Sequence, residues 1–276
     1  MEKLHFITAG MPLATNPKLG YKDAFQVLNN LNLDGLEMEF VHGVRFSDKN
    51  AELVSSAIKE GFLVTAHGPY YINLNSEEPE KIEASKTRIK DTARAAFSVG
   101  GYSITFHAAF YMKKDEKTVY NQVLTSMQEI VSDLKAEGVN IWIRPETTGK
   151  KTQWGDLDEI INLSKEVDMV LPCIDFSHLH ARHNGIYNTY DEFAQILDKI
   201  GTQLGNKAIE NFHAHLAGIA YSEKGEKNHL ILEESDMNYK DLLKALKDFG
   251  VKGALVCESP NIEHDCKLIK EYYESL

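Results

Sequence analysis

Six short apolar runs end in a residue able to ligate a metal ion or carry a proton: Thr65-Ala-His67, Ile104-Thr-Phe-His107, Trp142-Ile-Arg-Pro-Glu146, Pro172-Cys-Ile-Asp175, Phe212-His-Ala-His215 and Leu255-Val-Cys-Glu258. One histidine at a strand end is ordinarily a hydrogen-bonded structural residue, and one glutamate there is ordinarily paired with a lysine. Agreement among six ends changes that reading. Imidazoles and carboxylates converging on one rim repel, or stay unsatisfied, unless a cation lies between them. The set therefore points to a metal site. Imidazole suits Zn²⁺, Fe or Mn²⁺, whereas Mg²⁺ and Ca²⁺ sites favour oxygen; zinc leads, and Mn²⁺ is compatible with the same donors. His67, His107, Glu146, Asp175, His178, His215 and Glu258 are too many ligands for one tetrahedral ion. Two ions about 3.5–4 Å apart, bridged by a carboxylate, would clamp a phosphorus centre for in-line attack.

The neighbours of these residues matter as well. In Cys173-Ile-Asp175-Phe-Ser-His178-Leu-His180-Ala-Arg182-His183, Asp175 ends a strand and His178 lies one turn onward, so both can reach the same centre. His180 and His183 read as loop residues or as supports for ligands. His213 and His215 share a strand face because side chains alternate, and His215 is nearer the mouth. Glu37 and Glu39 repeat that geometry; they either orient ligating histidines or form a solvated pair. Tyr70 and Tyr71, just after His67, could stack on a sugar or base, or simply pack their loop. Lys113-Lys114, Lys150-Lys151, Lys224, Lys227 and His229 follow strand ends, a placement that suits a phosphate-containing substrate but is also common for surface lysines. The three cysteines give no disulfide framework and suit a reducing interior. Cys173 and Cys257 read as small buried hydrophobes.

These residues need elements to hold them. Strands are expected near 4–8, 35–40, 63–67, 102–107, 139–145, 169–175, 210–215 and 253–258, most of them continuous apolar runs as expected when both sheet faces are covered. Amphipathic helices alternate with them. The clearest carries Val119, Val123, Met127, Ile130, Val131 and Leu134 on one face. Helices close on Gly61, Gly138 and Gly250 just before a strand, so those turns are tight. The segments leaving the strands are long, notably 68–78, 108–117, 147–155, 176–189 and 216–238. Short loops on one face and long ones on the other describe a (β/α)8 TIM barrel, with the site at the C-terminal ends of its strands. A doubly wound sheet would more often carry a Gly-rich turn after the first strand, and Thr8-Ala-Gly10-Met-Pro12 is not one. The 276 residues fit one barrel domain, 1–276.

The net charge of −11 argues against loose electrostatic binding of nucleic acid, though not against a locally positive groove. No apolar run is long enough to span a bilayer. Met1-Glu-Lys-Leu-His5 leads straight into a strand, so no signal peptide is expected, and the setting is cytoplasmic.

At these residues the chain resembles the endonuclease IV family of zinc-dependent abasic-site nucleases, within the xylose isomerase-like barrels. The matching stretches are His67-Gly-Pro-Tyr70-Tyr-Ile-Asn73-Leu, Phe106-His107, Glu146-Thr-Thr-Gly149, Cys173-Ile-Asp175-Phe-Ser-His178, His215 with its loop, and Glu258. The resemblance implies three zinc ions. His67 and His107 would hold one, which Glu146 bridges to a second held by Asp175, His215 and Glu258. His178 and His229 would hold the third. Glu146 and Glu258 take the catalytic roles, and Tyr70 and Asn73 match substrate-loop positions. The implied partner is damaged double-stranded DNA, cut 5′ to an abasic site by a monomer. Two departures stand out. Where the family has Asp-x-His for the third zinc, this chain reads Glu226-Lys-Asn-His229, with Lys227 or Asn228 at the aspartate. The second-strand loop, Glu37-Met-Glu39-Phe-Val-His42-Gly-Val-Arg45, lacks the family's basic and amide residues for the minor groove. A metal-dependent sugar isomerase or epimerase on the same barrel is the alternative, with a carboxylate or lysine for proton transfer. A metal-dependent binding protein without catalysis is a third class.

Overall fold

The computed structural model describes residues 1–276. Its strands are β1 (Leu4–Ala9), β2 (Gly35–Glu39), β3 (Leu63–His67), β4 (Ser103–Phe106), β5 (Ala109–Phe110), β6 (Trp142–Pro145), β7 (Gln153–Trp154), β8 (Ile174–Asp175), β9 (Phe212–Leu216), β10 (Gly218–Ser222), β11 (Gly225–Leu230) and β12 (Gly253–Cys257). Its helices are α1 (Tyr21–Asn30), α2 (Asp48–Lys59), α3 (Pro79–Val99), α4 (Glu116–Ala136), α5 (Leu157–Glu166), α6 (Phe176–Arg182), α7 (Tyr190–Leu204), α8 (Asn206–Glu210), α9 (Tyr239–Asp248) and α10 (Glu263–Ser275).

Eight strands form one curled parallel sheet in the order β6-β4-β3-β2-β1-β12-β9-β8. Backbone bonds from Cys173 N to Pro145 O and from Thr147 N to Cys173 O, each 3.0 Å, join its two ends. This is the expected TIM barrel. The edge between β6 and β8 is its weakest seam, joined only by isolated bridges from Ile143 to Val170 and from Glu146 to Cys173, and β8 itself pairs with β9 only at Ile174 and Asp175. Pro172 has no N–H for the ladder, so the expected strand over 169–175 shrinks to these two residues and isolated bridges at Val170 and Cys173.

The main core lies between sheet and helices, in a cluster of 63 buried residues. The α4 face anticipated from the sequence is buried in it. At roughly 1.5–3 kcal/mol per buried side chain, its six apolar residues outweigh any propensity term in fixing that helix. The inside of the barrel differs. Its apolar cluster has only Ile7, Ala254 and Val256 fully buried. Glu37, Thr65, Ser103, Arg144 and His213 are also buried. A barrel interior is usually filled by branched apolar side chains; this one is polar beneath its mouth.

Three pieces that read as loops in the sequence take regular structure. Residues 176–182 form α6. Residues 218–230 form the antiparallel hairpin β10–β11. The pair β5–β7 ties the loop after β4 to the loop after β6.

Candidate metal centre

Strand ends deliver the donors. His67 closes β3, His107 follows β4, Glu146 follows β6, Asp175 closes β8, His215 lies in β9 and Glu258 follows β12. The α6 N-terminus adds His178, whose backbone N–H is capped by Asp175 Oδ1 at 2.7 Å. The β10–β11 hairpin folds back to bring His229. All eight residues expected as ligands therefore meet at one mouth.

Their hydrogen bonds and close charge contacts show which ring atom faces the centre. His67 Nδ1 donates to Gly68 O at 2.8 Å, which turns Nε2 toward Glu146 Oε2 at 3.1 Å. His215 Nε2 lies 3.1 Å from Glu37 Oε1, so Nδ1 faces Glu258 Oε1 at 3.2 Å and Glu146 Oε1 at 3.4 Å. His107 Nε2 approaches Glu146 Oε1 to 3.3 Å. His178 Nδ1 lies 3.1 Å from both Glu146 Oε1 and Asp175 Oδ2. Its Nε2 faces His229 Nε2 at 3.5 Å.

Donor atoms of His67, His107 and Glu146 lie within 4.8 Å of one another. The same holds for Glu146, Asp175, His215 and Glu258, and for Asp175, His178 and His229. Glu146 and Asp175 each belong to two groups and link the three. Glu146 Oε1, Asp175 Oδ2 and His215 Nδ1 are buried without a hydrogen-bond partner. Oxygen and nitrogen atoms aimed at a shared space, rather than bonded to each other, suit a cation. The residues fit divalent metal ions.

Electrostatics agree. Burial would raise the Glu146 carboxyl, but the surrounding His107 and His215 rings hold it well below the usual carboxylate range. Burial also opposes the charged form of His67 and His178; Glu146 outweighs it at His67, and Asp175 with Glu146 outweighs it at His178, so both rings are raised to about 10. Glu258 goes the other way, pushed up to about 8 by burial and by Glu146 and Asp175, against the pull of His215. Crowded acids and bases sharing protons are what bound cations relieve.

The remaining candidates sort clearly. Tyr70 is 66% exposed at the rim, its ring centroid 6.3 Å from that of His67. Asn73 uses its side-chain oxygen to accept from Asn75 N (3.1 Å) and Phe110 N (3.2 Å), which pins the loop beside the mouth. Glu37 is fully buried and supports His215, the orienting role rather than the solvated one. His180 is also fully buried, between Ile186 O and Asp236, and His183 pairs with Asp156; both brace α6. Cys173 packs against His213 and His215, its thiol pushed up to about 12 by burial, so it stays protonated.

Residues without a sequence signal also hold the site. Thr147 Oγ1 accepts from Asp175 N at 2.8 Å and joins the β6 loop to β8. Arg182 is buried and donates to Lys150 O, Gln153 O and Asp156, fixing the loop that carries Glu146. Neither type nor spacing marks them, because their partners lie far away in the sequence and many are backbone atoms.

The model of the xylose isomerase-like TIM barrel family matches residues 25–276. The chain belongs to that family. An uncharacterized protein of Methanocaldococcus jannaschii is 43% identical over 273 residues, covering 99% of this chain and 98% of its own length. More distantly, a probable endonuclease 4 of Mycoplasma pneumoniae is 24% identical over 213 residues, 75% of this chain and 71% of that protein. Among solved structures of this barrel type, a D-tagatose 3-epimerase-like protein superposes with a TM-score of 0.72 at 20% identity, covering 92% of this chain and 93% of that one. Endonuclease IV from Thermus thermophilus gives 0.71 at 17% identity, covering 98% and 100%. At such identities the structures show the fold alone.

Proposed function

We propose that this barrel is a zinc-dependent phosphodiesterase of the endonuclease IV type. Acting as a cytoplasmic monomer, it would cut DNA 5′ to abasic sites. One observation carries the reading: three donor groups, each containing histidine, are linked through Glu146 and Asp175 into one centre. His67 and His107 with Glu146 would hold one zinc ion. Asp175, His215 and Glu258 would hold a second, with Glu146 between them. The distant sequence relative that is a probable endonuclease 4 supports the same reading.

Bound there, divalent ions supply Lewis acidity toward the phosphoryl oxygens and the leaving oxygen. The chain's own residues do the rest. Glu146 is buried and rigidly placed, each of its oxygens facing histidine. Glu258 lies at the solvent edge of the centre, where its carboxylate would orient the attacking water. Tyr70, exposed beside His67, would stack on a base or sugar next to the lesion. Lys113, Lys150 and Lys151, on the segments after β4 and β6, and Lys227, on β11, would meet the phosphate backbone, offsetting an acidic chain. Water adds to phosphorus, the P–O bond on the 5′ side of the lesion breaks, and the departing oxygen takes a proton.

The test is an abasic duplex. Nicking is expected and should vanish with a strong chelator and in Glu258→Gln. Full activity in either case removes the proposal. A second reading has its own support: Glu146, Asp175, His215 and Glu258 alone make a carboxylate-rich site for a single ion, as in a metal-dependent sugar epimerase. Epimerisation of a ketose by protein holding one Mn²⁺, with the duplex left intact, would favour it.

A further inference from the structure

The end of the barrel opposite the metal ligands carries a cavity of about 800 Å³. Leu63, which opens β3, and Trp142, which opens β6, stand in its wall with Tyr102, Met169 and Lys207. Small-molecule sites ordinarily measure roughly 300–1,000 Å³.

Two positive charges at this floor have no anionic partner. Arg144 is 1% exposed. Its guanidinium donates only to neutral oxygens: Pro172 O at 3.0 Å, Asn211 O at 2.5 Å and the Tyr102 hydroxyl at 3.3 Å. Its Nε is buried without a partner. Burial works against its charge, and no carboxylate stands among the groups that offset this. Buried charges are ordinarily paired. The second charge is Lys207, whose Nζ lies 4.7 Å from the centroid of the Trp142 ring. Arg144 Cζ lies 5.7 Å from the same centroid and 5.4 Å from that of Tyr102, so ring faces hold both cations in place. The one carboxylate in the wall, Asp168, is taken by Lys135 at 2.8 Å.

Tyr102 connects the cavity to Arg144. Its hydroxyl accepts from the guanidinium, and its own proton reaches Phe212 O only over a long 3.4 Å. A phosphate oxygen in the cavity would replace that weak bond and meet a hydroxyl polarised by Arg144. A dianion matches two uncompensated cations. The apolar wall of Leu63, Trp142 and Met169 suits a flat organic body.

We propose that this floor cavity binds a small organic phosphate of mononucleotide size, its phosphate held by Lys207 and the Tyr102 hydroxyl in the field of Arg144. The site is separate from the metal centre and does not depend on what the mouth cleaves.

Arg144 also donates across the seam between β6 and β8, so its replacement endangers the barrel, and the test leaves it in place. Tryptophan emission of full-length protein is titrated with AMP, adenosine and inorganic phosphate. Trp154 is fully buried, so Trp142 is the ring a floor ligand can reach. AMP should change the emission saturably, inorganic phosphate should compete, and adenosine should have no effect. Lys207→Glu should weaken AMP binding about tenfold or more. Glu258→Gln, at the mouth, should bind AMP as the wild type does. The proposal falls if AMP gives no saturable change up to about 10 mM. It falls equally if adenosine acts as AMP does, or if Lys207→Glu binds AMP with wild-type affinity. Loss of the change in Glu258→Gln would move the binding to the mouth and overturn the floor site.

Discussion

Glu37 is a charged residue with no access to solvent, and three partners explain it. Thr65 Oγ1 donates to its Oε2 at 2.7 Å. His213 Nε2 lies 3.2 Å from the same oxygen, and His215 Nε2 lies 3.1 Å from Oε1. Burial raises this carboxyl, but His215 and His213 more than reverse that and hold it below the usual range. An ionised Glu37 holds the Nε2 edge of His215 toward itself, leaves Nδ1 facing the shared centre and raises the basicity of that ring. Glu37→Gln keeps the shape and removes the charge. Zinc affinity should fall about 10–100-fold while the fold is retained, as read by competition with a chromogenic chelator and by circular dichroism. Unchanged affinity would leave Glu37 a merely structural residue. Glu39, two residues on, shows how local this effect is: with one carboxylate oxygen unpartnered, burial pushes it up to about 7.

Elements hold the mouth through contacts between loops. Asp156 precedes α5 and accepts from Arg182 Nε at 3.0 Å, with His183 Nε2 at 3.3 Å, so it ties α5 to the end of α6. Burial would raise its carboxyl, but His183 and Arg182 bring it down to about 2. The unfolded value is about 3.9. A depressed folded pKa stabilises above the unfolded value, and that stability is lost as pH falls through about 3.9 toward about 2. Asp156→Asn should therefore cost about 1 kcal/mol near pH 7, after allowance for a partly exposed pair, and only a small part of that near pH 2, where the folded carboxyl is half protonated. Urea unfolding at the two pH values checks this; an equal loss at both would mean the cost is steric. The barrel floor makes a different demand. Gly253 opens β12 with φ +134, and a Cβ there would stand 2.0 Å from Phe212 O. Gly253→Ala should cost several kcal/mol or prevent soluble expression. Six strand ends were legible in the sequence because each joins an apolar run to a ligand. The hairpin around Glu226 and helix α6 were not legible. Polar residues dominate β11, and a β-bulge at Lys227 breaks the alternation by which strands are recognised. The Pro172 break in β8 could be read only once the ladder was seen.

At the scale of the whole molecule, the barrel keeps its apolar core outside the sheet and a polar, partly unsatisfied centre inside its mouth. The parallel order of the strands follows from alternation along the chain, so the convergence of distant residues was legible. The close polar contacts that orient the rings were not, because they join residues such as Glu37 and His215 across the barrel. No helix is long and apolar enough to cross a membrane. The stability of such a molecule should depend on what fills its mouth. Glu146, Asp175 and Glu258 repel one another, and a cation that binds only the folded chain stabilises it by mass action. Zinc at about 1,000 times its dissociation constant adds about 4 kcal/mol, which for a chain this long raises the melting temperature by roughly 8–16 °C. Glu146→Gln removes the carboxylate charge that two of the donor groups share. Stripped of metal, that variant should melt below the stripped wild type, because the Glu146 carboxylate pairs with the His67, His107 and His178 rings, and it should also gain much less on refilling with zinc. Calorimetry of four samples decides it: wild type and Glu146→Gln, each stripped and refilled. Equal melting of stripped and refilled wild type would show that these carboxylates and imidazoles satisfy one another without a cation, and the metal centre would fall with that result.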